Sequence, residues 1–359
     1  MKKSWIIITT IIVLFACSEN SIPQHSENNQ DPPINNSKNY YFNPVIGRSV
    51  PDPTAIRAND GFVYLYGTED IYNMPIYRSS DMVNWTLIGT VFTTESRPIF
   101  PEKTTSLWAP EIRRIKDKYV IFYSMSGMGI WMESTIGYAI ADKPSGPFVH
   151  KGYIVNGWQL DAQGGGGFNC IDQFIYEENN RLYMIVGSYC GITIFELNIT
   201  DDLVIKPKKI LDNNKVANQK IIAGRAYEAS GLYKRNGYYY LFASIGFFGI
   251  ENGDSSYQTV VGRSENLYGP YVTRDGRKMT DDQYEFLISG NEKFTGTGHN
   301  SIILEDDSGN TWTYYHGYSK GNLDKGRQVF LSRIYWDEEG WPYVEGGHPE
   351  DMAEVPVIK

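Results

Sequence analysis

The sequence predicts an all-β chain folded as a five-bladed β-propeller, and three observations carry that prediction. A hairpin unit recurs five times: DPTAIRANDGFVYLYGT from Asp52, EIRRIKDKYVIFYS from Glu111, DQFIYEENNRLYMIVGS from Asp172, EASGLYKRNGYYYLFAS from Glu228 and HNSIILEDDSGNTWTYYHG from His299. The openers stand 59, 61, 56 and 71 residues apart, and self-similarity at such a period marks a repeat architecture. Each unit crosses a polar turn, of which Asn236-Gly237 is a strong hairpin signal, and closes on Thr68, Ser124, Ser188, Ser244 or Gly317. Outside residues 1–15 there is no long 3.6-period stretch, only short aromatic and β-branched runs broken by Gly, Asn and Asp. Four-stranded blades set around a channel place each first strand innermost, so the five opening residues converge on the axis.

Taken in order, residues 1–16 read as a lipoprotein signal peptide. Lys2-Lys3 precede an apolar run at 5–15 that is of signal length and too short to span a bilayer. The run ends Leu14-Phe15-Ala16-Cys17, which resembles a bacterial lipobox. That resemblance implies cleavage before Cys17 and acyl chains on its thiol, anchoring an exported bacterial lipoprotein to a periplasmic or outer, cell-surface membrane face. The other reading is an ordinary secretory signal beside an incidental cysteine. Residues 17–38 are rich in Asn, Ser and Pro and nearly devoid of apolar side chains, the composition of a flexible tether. The propeller domain follows at 39–359.

Blade one is expected at about 47–89, blade two at 107–151, blade three at 169–210, blade four at 226–273 and blade five at 297–345. ADKPSGPF at 141–148 and SENLYGPY at 264–271 are the same turn-and-strand in different blades. The least regular segments, 211–224 and 280–296, read as inter-blade loops. DAQGGGGF at 161–168 reads as a mobile glycine loop, and it lacks the Lys-Ser/Thr ending of a phosphate loop.

Charge and cysteine count narrow the function classes. Lys and Arg number 33 against 42 Asp and Glu, for a net charge of −9 with no basic run, which excludes a nucleic-acid partner. The 27 tyrosines suit β-core packing and sugar stacking alike. Cys170 and Cys190 lie equidistant from Asn180, so a register centred there sets them opposite one another. Export permits a disulfide between them, and two buried thiols are the alternative. No histidine sits near the pair at zinc-ligand spacing.

Three carboxylates at blade starts, Asp52, Asp172 and Glu228, are what hydrolysis of a glycosidic bond needs. One carboxylate activates water, while a protonated carboxyl roughly 6.5–9.5 Å away, in an inverting enzyme, donates to the leaving oxygen. A third carboxylate beside the acid raises its pKa by like-charge repulsion. Polar residues at strand starts are also ordinary structural features, so spacing alone leaves a purely structural reading open.

The segments SVPDPTAI, LWAPEI, NCIDQF, YEASGLYKRNGYYYLF and GTGHNSI resemble glycoside hydrolase family 43, a family of five-bladed propellers that act with inversion. The resemblance spans about 47–345. It is nearest to arabinan-cleaving members in STIGYAIADKPSGPF, GSYCGITIFEL, SYQTVVGRSENLYGPY and WDEEGWP. It implies Asp52 as general base, Glu228 as general acid and Asp172 as the residue that tunes and orients the acid. It makes His299 the axial histidine that helps hold a central ion, commonly Ca2+, largely through water, with a core histidine as the alternative. Trp108 becomes a wall of the sugar pocket or a blade-packing residue, and Arg333 a sugar contact or a surface ion pair. No organic cofactor is implied.

The implied substrate is arabinan or an arabino-oligosaccharide of plant cell-wall polysaccharide, cleaved at α-L-arabinofuranosyl linkages, α-1,5 first among them. A β-xylosidase or other exo-pentosidase, and a non-catalytic glycan-binding propeller, are the alternatives. Three positions depart from the family pattern. Gln173 stands where proline is usual and is expected to shift the strand start, Glu111 stands where Asp is common and is expected to reach nearer the channel, and Ala229-Ser230 replace Ala-Pro.

Overall fold

A computed structural model describes residues 39–99, 106–127, 133–161 and 167–359. The expected signal, Cys17 and tether lie outside the described residues, as does the middle of the glycine loop. The fold is all-β. Among the described residues the one α-helix is the single turn Gly157–Leu160, closed by a reciprocal Asn156–Gln159 capping box.

The strands fall into successive antiparallel sheets. The first holds Thr54–Arg57, Val63–Tyr66, Pro75–Ser79 and Thr86–Thr90. The second holds Ser106–Ile115, Lys118–Ser126, Thr135–Ala141 and Val149–Asn156. In the third, Phe174–Glu178, Arg181–Val186 and Ile192–Ile199 run in order, and both Ile205–Pro207 and Lys220–Ala223 pair with the last of these. A nine-stranded sheet follows, which a lone parallel pair, Gln258 with Thr297, divides into two units. The fourth unit holds Glu228–Arg235, Tyr238–Ile245, Gln258–Ser264 and Glu285–Ile288, and the fifth holds Phe294–Gly298, Thr311–Ser319, Gln328–Trp336 and Pro342–Tyr343, with Leu304–Glu305 beside Thr311–Ser319. Tyr40–Phe42 pairs with Met352–Glu354, joining the two ends of the described chain.

Strand sequence explains this stacking. The second strand of each unit is buried on both faces, so alternate residues enter different cores. In Lys118–Ser126, Val120 and Phe122 pack toward the third sheet, while Tyr119, Ile121 and Tyr123 pack toward the first. In Tyr238–Ile245, Tyr239, Leu241 and Ala243 meet the third sheet, while Tyr240 and Phe242 meet the fifth unit. A further cluster sets Trp312, Tyr314, Val329 and Leu331 of the fifth unit against Ala55, Val63, Leu65 and Tyr77 of the first sheet. Every neighbouring pair, the last and first included, thus shares an apolar interface.

Several expectations are corrected. The segments 211–224 and 280–296 are not plain loops, because each carries a strand, Lys220–Ala223 and Glu285–Ile288. The 141–148 and 264–271 turns share their backbone, with positive φ at Gly146 and Gly269. The third hairpin turns on Asn179-Asn180, both left-handed, with Glu178 opposite Arg181. That register puts residue 189, not 190, opposite 170. Cys170 and Cys190 are free thiols, and Cys190 Sγ accepts the Asn169 N–H at 3.1 Å.

Candidate active site

Five residues at the starts of the units take a left-handed backbone: Asp52 (φ 53°), Ala109 (41°), Asp172 (59°), Ala229 (52°) and His299 (53°). Each buried N–H so turned needs an acceptor, and each finds it in the unit before. Ala109 donates to Thr68 Oγ1 (2.7 Å), Asp172 to Ser124 Oγ (3.0 Å), Ala229 to Asp172 Oδ2 (3.2 Å) and His299 to Ser244 Oγ (2.8 Å). Asp52, in the first unit, donates to His316 Nδ1 (3.1 Å) of the last.

These positions correct the alignment of the repeats. Ala109 and Ala229, not Glu111 and Glu228, are the equivalents of Asp52 and Asp172. Glu111 falls two residues downstream, where its Oε2 accepts from Thr54 Oγ1 at 2.9 Å and its carboxylate pairs with Arg113. It therefore faces the first sheet, contrary to the expected reach toward the channel. Gln173 does not displace the turn. Its amide donates to Ala109 C=O (2.7 Å) and accepts from Ser124 Oγ (2.9 Å), tying the second sheet to the third.

The three carboxylates are brought together and held in unlike surroundings. Asp52 Oδ1 lies 3.1 Å from Arg327 Nη1, 3.2 Å from His299 Nδ1 and 3.1 Å from His316 Nδ1, and Oδ2 accepts from Thr68 Oγ1 at 2.5 Å. Burial pushes this carboxyl upward, but Arg327, His299 and His316 outweigh it and hold it well below the usual carboxylate range. Asp172 is driven the other way, well upward, by burial and then by the charges of Glu228 and Asp52. Glu228 Oε1 accepts from Tyr257 Oη (2.6 Å) and Oε2 from Ser188 Oγ (2.7 Å). Burial raises its pKa more than those two donors lower it. Burial also lowers both histidines, His316 to about 4, so the lasting positive charge beside Asp52 belongs to Arg327.

One carboxyl held well down and two pushed up thus share a buried cluster. The sequence profile of Glycosyl hydrolases family 43 matches residues 41–342. The chain belongs to that family. Among relatives of this family-43 chain, an extracellular exo-alpha-(1->5)-L-arabinofuranosidase of Cellvibrio japonicus is 31% identical, over 82% of this chain and 86% of its own. An extracellular endo-alpha-(1->5)-L-arabinanase of Bacillus subtilis is 28% identical, over 81% of this chain and 86% of its own. The structure of a Cellvibrio cellulosa alpha-L-arabinanase complexed with arabinohexaose superposes with a TM-score of 0.67 at 29% identity, covering 83% of this chain and 96% of that one.

The remaining site residues of this family-43 chain divide in two. Trp108 is partly buried and pairs with Ser124, whose hydroxyl accepts the Asp172 N–H, so its backbone lies one strand from Asp172. Arg333 stands away from the carboxylates. Its guanidinium bonds Asn310 and lies 4.7 Å from the Tyr335 ring, six residues and about 20 Å of strand from Arg327. The arginine at the carboxylates is Arg327, paired with Asp52, and a lone arginine after a glycine turn carries no signal of it. His316 was also missed, although a polar residue inside the aromatic run TYYHGYS marks it in retrospect. Tyr257 and the hydroxyls of Thr68, Ser124, Ser188 and Ser244 complete the set.

Proposed function

We propose that the chain is an inverting hydrolase of α-L-arabinofuranosyl linkages, acting first on α-1,5-linked arabinan. The observation that carries this reading is the opposed pull on Asp52, held down beside Arg327, and on Glu228, pushed up by burial, within one cluster. Asp52, ionised, takes a proton from the water that attacks the anomeric carbon. Glu228, protonated, gives its proton to the departing glycosidic oxygen, and the C–O bond breaks as the new one forms on the opposite face. Asp172 accepts from the N–H of Ala229, next to Glu228, and so orients the acid, whose pKa burial raises. Trp108 walls the sugar pocket. The arabinan-directed names of the relatives support the substrate.

Glu228→Gln is expected to lower kcat/KM on debranched arabinan by about 10²–10⁴-fold, with the sugar still bound. Equal rates in variant and wild type, or a first-formed product with unchanged anomeric configuration by NMR, would sink the reading.

The apolar interfaces and the hydrogen bonds running from each unit to the next support five blades around one axis, with the nine-stranded sheet as blades four and five. On that axis His316 Nε2 is buried without a hydrogen-bond partner among the described residues, and since Nδ1 accepts the Asp52 N–H, Nε2 is an N–H that a water would satisfy. No three His, Cys, Asp or Glu side chains among the described residues are grouped to hold a metal. A central Ca2+ or similar ion therefore fits only as a mostly hydrated one, held through its waters near His299 and His316, where it would add positive charge beside Asp52. Chelation is expected to lower the melting temperature, and an unchanged melting curve would remove the ion. Residues 1–16 as a signal, 17–38 as a tether acylated at Cys17 and 39–359 as the catalytic domain complete the proposal, supported by relatives named extracellular.

A further inference from the structure

The loop at 246–256 leaves the end of Tyr238–Ile245 and returns as Gln258–Ser264, so it extends the sheet that begins with Glu228. It is built rigidly. Gly246 has φ +85°, and a Cβ there would stand 2.1 Å from the Ser256 carbonyl oxygen. Phe247 N–H donates to Ser256 Oγ (2.9 Å), Ser255 Oγ donates to Phe247 C=O (2.8 Å), and Glu251 and Asp254 bridge the tip. Asp254 is pinned to the fifth unit by Thr295 and by Lys320 at 3.0 Å, and Tyr189 Oη donates to Gly246 C=O.

Such a scaffold has no need of two adjacent phenylalanines, yet Phe247 is 48% exposed and its ring lies 5.2 Å from that of Phe248. The Phe248 ring is 4.8 Å from the Arg327 guanidinium and 6.5 Å, edge-on, from Tyr257. Arg327 holds the base and Tyr257 holds the acid. Phe248 therefore sits at the lip of the carboxylate cluster, with Phe247 beyond it toward solvent. A pentofuranose ring has an apolar C–H face that an aromatic ring can cover while its hydroxyls stay wet.

We propose that Phe247 and Phe248 form the platform for the sugar on the leaving-group side of the scissile bond and select for a sugar there. The side follows from the loop's origin on the sheet of Glu228, the group that protonates the departing oxygen. This inference rests on the arabinofuranosidase reading above.

The experiment compares arabinotriose with α-L-arabinofuranosyl fluoride, whose leaving group is not a sugar. Phe248→Ala and Phe247→Ala are each expected to lower the ratio of kcat/KM on arabinotriose to that on the fluoride by about tenfold, and Phe248→Tyr to restore it. An unchanged ratio in both alanine variants overturns the proposal, as does failure of the tyrosine to rescue a fallen one. Wild-type protein that hydrolyses neither substrate instead overturns the arabinofuranosidase reading, and the platform with it.

Discussion

Arg327 decides the charge of Asp52. The carboxyl is buried, which favours its neutral form, and its two histidine neighbours are themselves held neutral by burial. One fixed cation at 3.1 Å offsets that desolvation. As the proposed base, Asp52 must be ionised to accept a proton from water, so activity in acid is expected to end where Asp52 protonates. Arg327→Met removes the cation and raises that pKa. The acid limb of kcat/KM is expected to move to higher pH by about one unit or more, and an unmoved limb would show that Arg327 does not set the base. Stability follows the same sign. A depressed carboxyl contributes stability above its unfolded pKa of about 3.9 and loses it as pH falls through the lower folded value. Asp52, Asp172 and Glu228 were legible because strand starts that carry acids recur in the sequence. Their partners were not, because Arg327 and His316 join Asp52 from 275 and 264 residues away, a distance over which local pattern says nothing.

At the scale of the element, the repeat is defined by backbone rather than by charge. Non-glycine residues pay roughly 1–2 kcal/mol for a left-handed φ, and here each is offset by a hydrogen bond to the neighbouring unit. Sequence comparison aligned the units on their acidic residues, which is correct at Asp52 and Asp172. It slipped where the turn residue is Ala109 or Ala229, since alanine carries no mark of its φ. Hairpins such as Arg235–Tyr238, with Asn236 and Gly237 at φ 48° and 84°, were legible from Asn-Gly alone. The strands Lys220–Ala223 and Glu285–Ile288 were not, because four residues beyond a long connection leave too short a period to read. The loop at 246–256 depends on one such backbone position. Gly246→Ala is expected to displace the two phenylalanines and to lower the arabinotriose-to-fluoride ratio as Phe248→Ala does, with a small change in melting temperature. A ratio equal to wild type would mean that the loop tolerates the Cβ.

At the scale of the molecule, each of the five units is covered on both sides by another, which is why the core strands read as near-continuous apolar runs. The interface between the fifth unit and the first is reinforced by the chain ends. Ala353, Val355 and Ile358 pack on that core, Tyr41 Oη donates to Leu331 C=O at 2.8 Å, and Val357 N–H donates to Asp306, which also holds Trp312. Deleting residues 350–359 removes the partner of Tyr40–Phe42 and exposes this core. The melting temperature is expected to fall by about 5 °C or more, and a truncated protein melting with the full chain would show that the closure is held elsewhere.

The bonds that run from unit to unit also set a schedule. Asp52 is the first of the three carboxylates to be synthesised, and three of its four side-chain partners, His299, His316 and Arg327, follow only with the fifth unit. A chain halted after the fourth unit carries all three carboxylates, yet Asp52, the proposed base, lies on an uncovered edge with Thr68 alone to hold it. On the proposed roles, hydrolysis is expected only once the fifth unit docks, so a copy that lacks it is expected to be chemically silent.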